Sequence, residues 1–358
     1  MMIRRTFICI CIILAPQQFS LAAVSKTDET IALKRWIEEN RQRPALGAQW
    51  NGGTRSLGWE EQERITGTLP LVFGIEYFDY GPVEKNLAGR QASANHLKDK
   101  FGQGGIVTLV DHMPNFITGG DSWDRSTDTL AAVLPGGAAH QEFVAYLDRL
   151  AVFLKSLVVN GKPVPVLLRP LHEMNGAWFW WGDAKSGSRF IELWRFYHNY
   201  LEQQKQVNNV LWVWSPNIDG AASVERFRSY WPGAGYVDVV GLDGYDNTAS
   251  PNITNKAFAS SFNAVSSIAQ SEGLPLAITE IGAKPGAQEV PSFWDIGVKS
   301  ALAGSYPGVS YFLIWNGAWG PKDGTPAAAG FRRLIESGRL LRKGDVEGHT
   351  IYGPGFSH

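Results

Sequence analysis

The chain has little cysteine and almost no net charge, and each shortage excludes a class of protein. Its 358 residues include two cysteines, and 33 basic residues against 34 acidic ones give a formal net charge of -1. No run of lysine and arginine after the first residues supplies a local basic patch. We therefore expect neither a nucleic acid nor a membrane surface as a partner. No GxGxxG follows an apolar run and no GxxxxGK[ST] is present, so the sequence gives no support for nucleotide binding either.

The N-terminus has the pattern of a secretory signal peptide. Arg4 and Arg5 precede an apolar run at 7–14, and small residues end the segment at Ala22, after which we expect cleavage. Both cysteines fall inside residues 1–22, so the mature chain would have neither disulfides nor a catalytic cysteine. No later segment reaches the roughly 18 uncharged apolar residues of a membrane span. The expected location is periplasmic or secreted.

The remaining residues, 23–358, are predicted to form one α/β domain. Short apolar runs ended by Gly, Asn, Asp or Pro alternate with segments of helical periodicity, which is typical of a parallel sheet. The count of eight runs predicts a single (β/α)8 TIM barrel with its core at about 44–342. The runs are 45–50, 71–78, 105–110, 164–171, 210–214, 237–242, 276–279 and 309–315.

Helical periodicity gives the elements around this ring. The predicted helices are 27–40 at the base of the barrel, 141–158, 190–204, 255–272, 291–303 and 331–342. The long loop at 111–139 is typical of a barrel's catalytic face. The tail at 344–358 has no periodicity, and we expect it to pack along the outside.

The stretch Arg169-Pro-Leu-His-Glu-Met-Asn-Gly-Ala-Trp-Phe-Trp-Trp-Gly182 concentrates polar and aromatic groups at the end of the fourth run. Alternation along a strand predicts that Leu167, Arg169, Leu171 and Glu173 share the inward face. A charged side chain there costs several kcal/mol if it is buried without a partner, so Glu173 needs a functional reason. A sugar substrate, stacked on the following rings, is the best one.

A second carboxylate reaches the same rim. In the seventh run, Leu276, Ile278 and Glu280 share a face, and a turn glycine follows at Gly282. Glycosidic cleavage needs two facing carboxyls, one protonated and one ionised, whereas a single glutamate at a strand end more often forms a salt bridge. The pair favours a glycoside hydrolase.

Other side chains near these strand ends remain ambiguous from the residues alone. A zinc site of the HExxH type would need histidine at Gly176, so metal catalysis is not expected. For His112 a buried structural role and a substrate contact are about equally supported, whereas Tyr245 and Trp315 favour the core. About half of the aromatic residues at 178–181 are expected to be packing and the rest to contact sugar.

The stretch at 169–182 resembles the signature of glycoside hydrolase family 26. Further blocks resemble that family in the expected order over roughly 44–331: Asp111-His-Met-Pro114, Gly241-Leu-Asp-Gly-Tyr-Asp246, Thr279-Glu-Ile-Gly282 and Leu313-Ile-Trp-Asn316. The resemblance implies a retaining endo-β-1,4-mannanase that acts on β-mannan-type polysaccharide as a monomer and needs no cofactor and no metal. It leaves open mixed-linkage β-glucan or β-1,3-xylan as substrate, and a barrel that binds or helps to assemble a glycan without cutting it.

The same resemblance implies roles for individual residues. Glu173 takes the acid/base position and Glu280 the nucleophile position. The supporting and substrate-contacting positions are His172 before the acid/base, Arg169 and Tyr245 beside the nucleophile, Asp243 in the block of the sixth run, and His112, Trp178 and Trp315 next to the scissile bond.

Overall fold

The centre of the molecule is a closed ring of parallel strands. The computed structural model describes residues 24–41, 43–50, 58–77, 83–182, 187–246, 256–283, 293–299, 308–315 and 317–356. Neighbouring strands pair in parallel, and the first pairs with the last through Ala45 and Tyr311, which closes the (β/α)8 barrel. The strands are β1 (Ala45–Trp50), β2 (Val72–Glu76), β3 (Ile106–Val110), β4 (Val166–Arg169), β5 (Val210–Trp214), β6 in two pieces (Val239–Val240 and Asp243–Asp246), β7 (Leu276–Ala283) and β8 (Val309–Ile314).

Burial on both faces explains why these strands read as continuous apolar runs. Every residue of β1 to β5, β7 and β8 is buried, because side chains fill the barrel on one side and helices cover it on the other. All eight apolar runs therefore correspond to strands, and the prediction of a TIM barrel is confirmed.

Helices surround the ring, and most of the predicted ones are present. They are α1 (Asp28–Glu39), α2 (Trp59–Thr66), α3 (Val83–Gly102), α4 (Thr129–Val133), α5 (His140–Ser156), α6 (Ser188–Asn199) with a π-helical turn (Tyr200–Gln204), α7 (Val224–Arg228), α8 (Lys256–Glu272), a π-helix (Phe293–Val298), α9 (Pro326–Glu336) and α10 (Gly348–Tyr352). A short antiparallel pair, Val158–Val159 with Lys162–Pro163, was not predicted.

The last predicted helix, at 331–342, had the wrong bounds. Helix α9 begins at Pro326, because the side chain of Thr325 accepts the backbone N–H of Ala328 and caps the helix. The chain leaves the helix at Gly338, whose φ of +69° is left-handed. Of the predicted helix 291–303, residues 293–298 form the π-helix, and residues 291–292 and 300–303 lie outside the described residues.

The base of the barrel is covered by α1 and the C-terminal tail. Asn40, at the end of α1, donates to the carbonyl of Ser310 in β8 at 3.2 Å, and Lys34 pairs with Asp238 before β6 at 2.8 Å. In the tail, the Tyr352 hydroxyl donates to the carbonyl of Gly105 before β3 at 2.7 Å. The loop that follows β3 lies at the opposite end, on the face where Glu173 and Glu280 meet. Among the described helices, none has the length and apolar character needed to cross a bilayer.

Candidate active site

The chain turns sharply after β4 and brings Glu173 to the mouth of the barrel. The strand ends at Arg169, and both Leu171 and Glu173 have left-handed backbone, with φ values of 51° and 55°. The prediction that one alternating strand extends through Glu173 was therefore wrong, although Glu173 does face Glu280. Two hydrogen bonds hold the turn: the Glu173 N–H donates to Ser215 O at 2.8 Å, and the Gly176 N–H donates to Glu173 O at 2.9 Å.

Arg169 forms ion pairs with carboxylates on the far side of the ring. Its guanidinium donates to Asp243 Oδ2 at 2.8 Å and also to Glu280 Oε1. Asp243 accepts further hydrogen bonds from Thr279 at 2.6 Å and Ser215 at 3.2 Å. Asp243 and Glu280 are direct partners in the parallel register of β6 and β7, which explains why one guanidinium contacts both. Thus Arg169 lies four residues from Glu173 in sequence but pairs with Glu280.

Both oxygens of Glu280 accept strong donors. Arg169 contacts Oε1 and the Tyr245 hydroxyl donates to Oε2. Burial, followed by the charge of Glu280, raises the pKa of Tyr245 well above its usual value, so this hydroxyl keeps its proton and stays a donor. His172 Nε2 lies 3.9 Å from Glu280 Oε1, and burial holds the pKa of this imidazole well below its usual value. His172 is therefore a neutral ring beside a charged pair.

Glu173 lies in a different environment. The contact that holds its carboxyl is the Trp178 indole N–H, which donates to Oε2 at 2.6 Å. Burial raises the pKa of Glu173 well above its usual range, and the nearby charges of Glu280 and Asp243 raise it further. The Trp178 hydrogen bond and the charge of Arg169 oppose this shift. Trp178 thus favours the ionised form of Glu173, whereas burial favours the neutral form.

The three carboxyls form one compact cluster. Glu173, Asp243 and Glu280 each place an oxygen within 4.8 Å of the others. A cation bound there would compete with Arg169 for Asp243 and Glu280. Burial also raises the pKa of Asp243, to about 8, although the charge of Arg169 opposes the shift. Of the three acids, Asp243 and Glu280 contact the guanidinium and Glu173 does not, so the local charges favour a proton on Glu173.

His112 lies in the same cleft and contacts a carboxylate, Glu76, that sequence reasoning missed. Its Nδ1 lies 3.0 Å from Glu76 Oε2, and its backbone N–H donates to Glu76 Oε1 at 2.8 Å. The exposed ring of Trp123 stacks on the imidazole, with centroids 5.4 Å apart and planes 12° apart. Glu76 ends β2 directly after an apolar run, which is the signal that identified Glu280, but nothing in the sequence marks His112 as its partner.

Three of the four aromatic rings at 178–181 are packing, where about half were expected. Phe179, Trp180 and Trp181 are buried, and the indoles of Trp180 and Trp181 donate to backbone carbonyls of Met113 and His172, so these rings form the wall of the site. Trp178 is half-buried at the carboxyl cluster. Trp315 follows β8, and its ring centroid lies 6.0 Å from that of His112, which places Trp315 at the cleft as well.

Comparison with known proteins agrees with this arrangement. The model of glycosyl hydrolase family 26 matches residues 23–337. The chain belongs to this family. The chain is 29% identical in sequence to a modular endo-β-1,4-mannanase from Cellulomonas fimi. The two structures superpose with a TM-score of 0.82, covering 91% of this chain and 78% of that one.

Relatives in sequence include longer proteins. This family member is 30% identical over 319 residues to mannan endo-1,4-β-mannosidase A and B of Caldalkalibacillus mannanilyticus, covering 82% of this chain and 55% of that protein. It is 31% identical over 311 residues to a mannan endo-1,4-β-mannosidase of Bifidobacterium adolescentis, covering 77% of this chain but 30% of that protein. The chain thus spans about half or less of the length of these relatives.

Proposed function

We propose that the protein is a retaining glycoside hydrolase that cleaves internal β-1,4-mannosidic bonds of mannan, glucomannan or galactomannan. The observation that carries the proposal is the asymmetric carboxyl pair: an oxygen of Glu173 lies within 4.8 Å of an oxygen of Glu280, the pKa of Glu173 is raised, and Glu280 is paired with Arg169. Retaining glycosidases have their carboxyls about 5–5.5 Å apart, whereas inverting enzymes leave about 6.5–9.5 Å for a water molecule. The spacing supports double displacement.

In the first step, Glu280 attacks the anomeric carbon. Arg169 and Tyr245 hold its two oxygens, so the nucleophile is fixed in orientation before the substrate arrives. Glu173 donates its proton to the glycosidic oxygen as the bond to the anomeric carbon breaks. The shortened glycan leaves, and an ester joins the remaining sugar to Glu280.

In the second step, Glu173 acts as the base. Its carboxylate, now ionised and still bonded to the Trp178 indole, removes a proton from water while the water oxygen attacks the anomeric carbon. The ester bond to Glu280 breaks and the carboxylate returns to Arg169. Two inversions at one carbon give net retention. His172, His112, Trp178 and Trp315 line the cleft where the sugars beside the scissile bond would lie, and Asp243 anchors Arg169.

Support for mannan as the substrate comes from the family and from the relatives that are mannan endo-1,4-β-mannosidases. The proposal also includes a signal peptide at 1–22 with cleavage after Ala22, one catalytic domain at 23–358, and action as a monomer in the periplasm or outside the cell. The apolar run at 7–14 supports that location. The near-neutral charge supports a neutral polysaccharide as partner.

The decisive experiment compares substrates and one variant. Residues 23–358 are incubated with mannan, mixed-linkage β-glucan and β-1,3-xylan, and new reducing ends and product lengths are measured. We expect mannan to be cut to mixed oligosaccharides, which indicates endo action. The Glu280→Ala variant should be inactive, and azide should restore turnover by taking the place of the carboxylate. Glu142→Ala, at an exposed position on α5, is the matched control.

Three outcomes would contradict the proposal. Binding of mannan without new reducing ends would favour a glycan-binding barrel. Preferential cleavage of either other polymer would change the substrate. Full activity of Glu280→Ala without azide would refute the assignment of the nucleophile.

A further inference from the structure

A tryptophan from the eighth strand's loop packs behind the tyrosine that contacts Glu280. Trp319 ends a short 3-10 helix, Gly317–Trp319, that follows β8. Its ring lies against the Tyr245 ring, with centroids 4.8 Å apart and planes inclined by 59°. Both side chains are half-buried, so this contact fixes the orientation of a ring that solvent would otherwise leave free to move.

Gly282 on β7 makes that packing possible. A Cβ at this position would lie 2.8 Å from Trp319 Cβ, 3.0 Å from Trp319 O and 3.1 Å from Tyr245 Cδ1. Gly282 is the register partner of Tyr245 and lies two residues after Glu280 on the same strand. Tyr245, Gly282 and Trp319 therefore form one packed unit, which involves β6, β7 and the segment after β8.

We propose that Trp319 is a positioning residue for the nucleophile and acts through Tyr245. By limiting rotation of the Tyr245 ring, it keeps the hydroxyl on Glu280 Oε2 while Arg169 holds Oε1. If the Oε2 contact is lost, the carboxylate can rotate away from the line of attack, and reactions that depend on alignment slow down. This inference rests on the proposed role of Glu280 as nucleophile.

A double-mutant cycle tests the route of the effect. Trp319→Ala, Tyr245→Phe and the double variant are compared by kcat/KM on a 2,4-dinitrophenyl β-mannobioside, whose leaving group needs no proton from Glu173. We expect Trp319→Ala to lower kcat/KM about tenfold in the wild-type background, and less than about twofold where Tyr245 is already Phe, because residues that act through one another are non-additive. Trp319→Phe should restore most of the rate.

Two further variants separate positioning from general loss of structure. Gly282→Ala pushes a methyl group between Trp319 and Tyr245 and should lower kcat/KM in the same way, which gives a second readout if Trp319→Ala folds poorly. Trp36→Ala removes a partly buried indole from α1 at the opposite end of the barrel, and should lower Tm without changing kcat/KM.

Each outcome decides the inference. An unchanged kcat/KM in folded Trp319→Ala, or an equal loss with and without the Tyr245 hydroxyl, would overturn it. If the wild-type protein cleaves no β-mannoside, the proposed function fails instead, and the two failures are thereby distinguished. Non-additive losses with Tm values close to that of the wild type would support the inference.

Discussion

Replacement of Glu173 by alanine separates the two proposed catalytic roles. The variant removes the buried carboxyl that is proposed to carry the proton but leaves Arg169 and Tyr245 in contact with Glu280. The nucleophile therefore remains held, and a substrate that needs no proton donor should still form the glycosyl-enzyme. The prediction is a loss of activity that depends on the leaving group.

The neighbouring residues determine how large the loss should be. His172 is a neutral ring because burial lowers its pKa. The pKa of Tyr245 is raised, so its hydroxyl keeps its proton and donates it in the hydrogen bond to Glu280. Neither can replace Glu173 as an acid near neutral pH. General acid catalysis contributes roughly 10²–10⁴-fold, so kcat/KM on mannan should fall towards the upper end of that range, while the first step on a dinitrophenyl mannoside should fall less than about tenfold.

The assay measures the burst of dinitrophenolate and the products formed with azide. In Glu173→Ala the glycosyl-enzyme should accumulate, and azide should attack from the face that Glu173 occupied, giving a β-mannosyl azide. In Glu280→Ala azide replaces the nucleophile and should give the α-azide. Wild-type cleavage of mannan should decline as pH rises through the raised pKa of Glu173, because the acid loses its proton. That decline should be absent in Glu173→Ala on the activated substrate.

The anomer of the azide product provides the refutation. An α-azide from Glu173→Ala would show that Glu173 is the nucleophile and Glu280 the acid/base. An equal loss on mannan and on the dinitrophenyl substrate would show that Glu173 is not the proton donor. Glu142→Ala should behave as the wild type in every assay.

Three further changes have definite expected results. Glu76→Gln keeps the shape of the partner of His112 but removes its charge. It should weaken substrate binding about fivefold, measured as KM for mannan, because a charge-assisted hydrogen bond exceeds a neutral one by about 1 kcal/mol. An unchanged KM would contradict this prediction. Gly176→Ala places a Cβ 2.4 Å from the Trp178 ring, and should displace the indole from Glu173 and lower kcat on mannan, whereas the folded variant with wild-type kcat would refute that contact's role. In the folded state the pKa of Glu173 is raised above its usual 4.5, so its contribution to stability is present below pH 4.5 and is lost as pH rises through the raised pKa. Glu173→Gln should therefore gain in Tm relative to the wild type between acid and neutral pH. A constant Tm difference would count against this prediction.

The sequence predicted the barrel because burial on both faces makes each strand a short apolar run. It predicted Glu173 and Glu280 because a carboxylate at the end of such a run is costly without a partner. Glu76 meets the same criterion, but a single strand-end carboxylate is indistinguishable from a structural ion pair until the contact with His112 is known.

Other features depend on tertiary contacts that a local pattern does not contain. The two pieces of β6 pair with β7 in different registers, because Val240 is the partner of Leu276 whereas Asp243 is the partner of Glu280. The contact of Trp319 with Tyr245 joins residues far apart in the chain, and a tryptophan after the eighth strand gives no indication of which ring it meets.

The turn after β4 explains why neighbours in sequence have different electrostatic environments. Had the strand continued, Arg169 and Glu173 would lie on one face, and the guanidinium would favour the ionised form of both glutamates. Left-handed backbone at Leu171 and Glu173 costs of order 1–3 kcal/mol each, and it moves the Glu173 carboxyl to the Trp178 indole. The hydrogen bond from the Glu173 N–H to Ser215 O helps to hold that strained geometry. The strain thus has a chemical consequence: Arg169 is committed to Asp243 and Glu280, and Glu173 remains the buried carboxyl that can keep a proton.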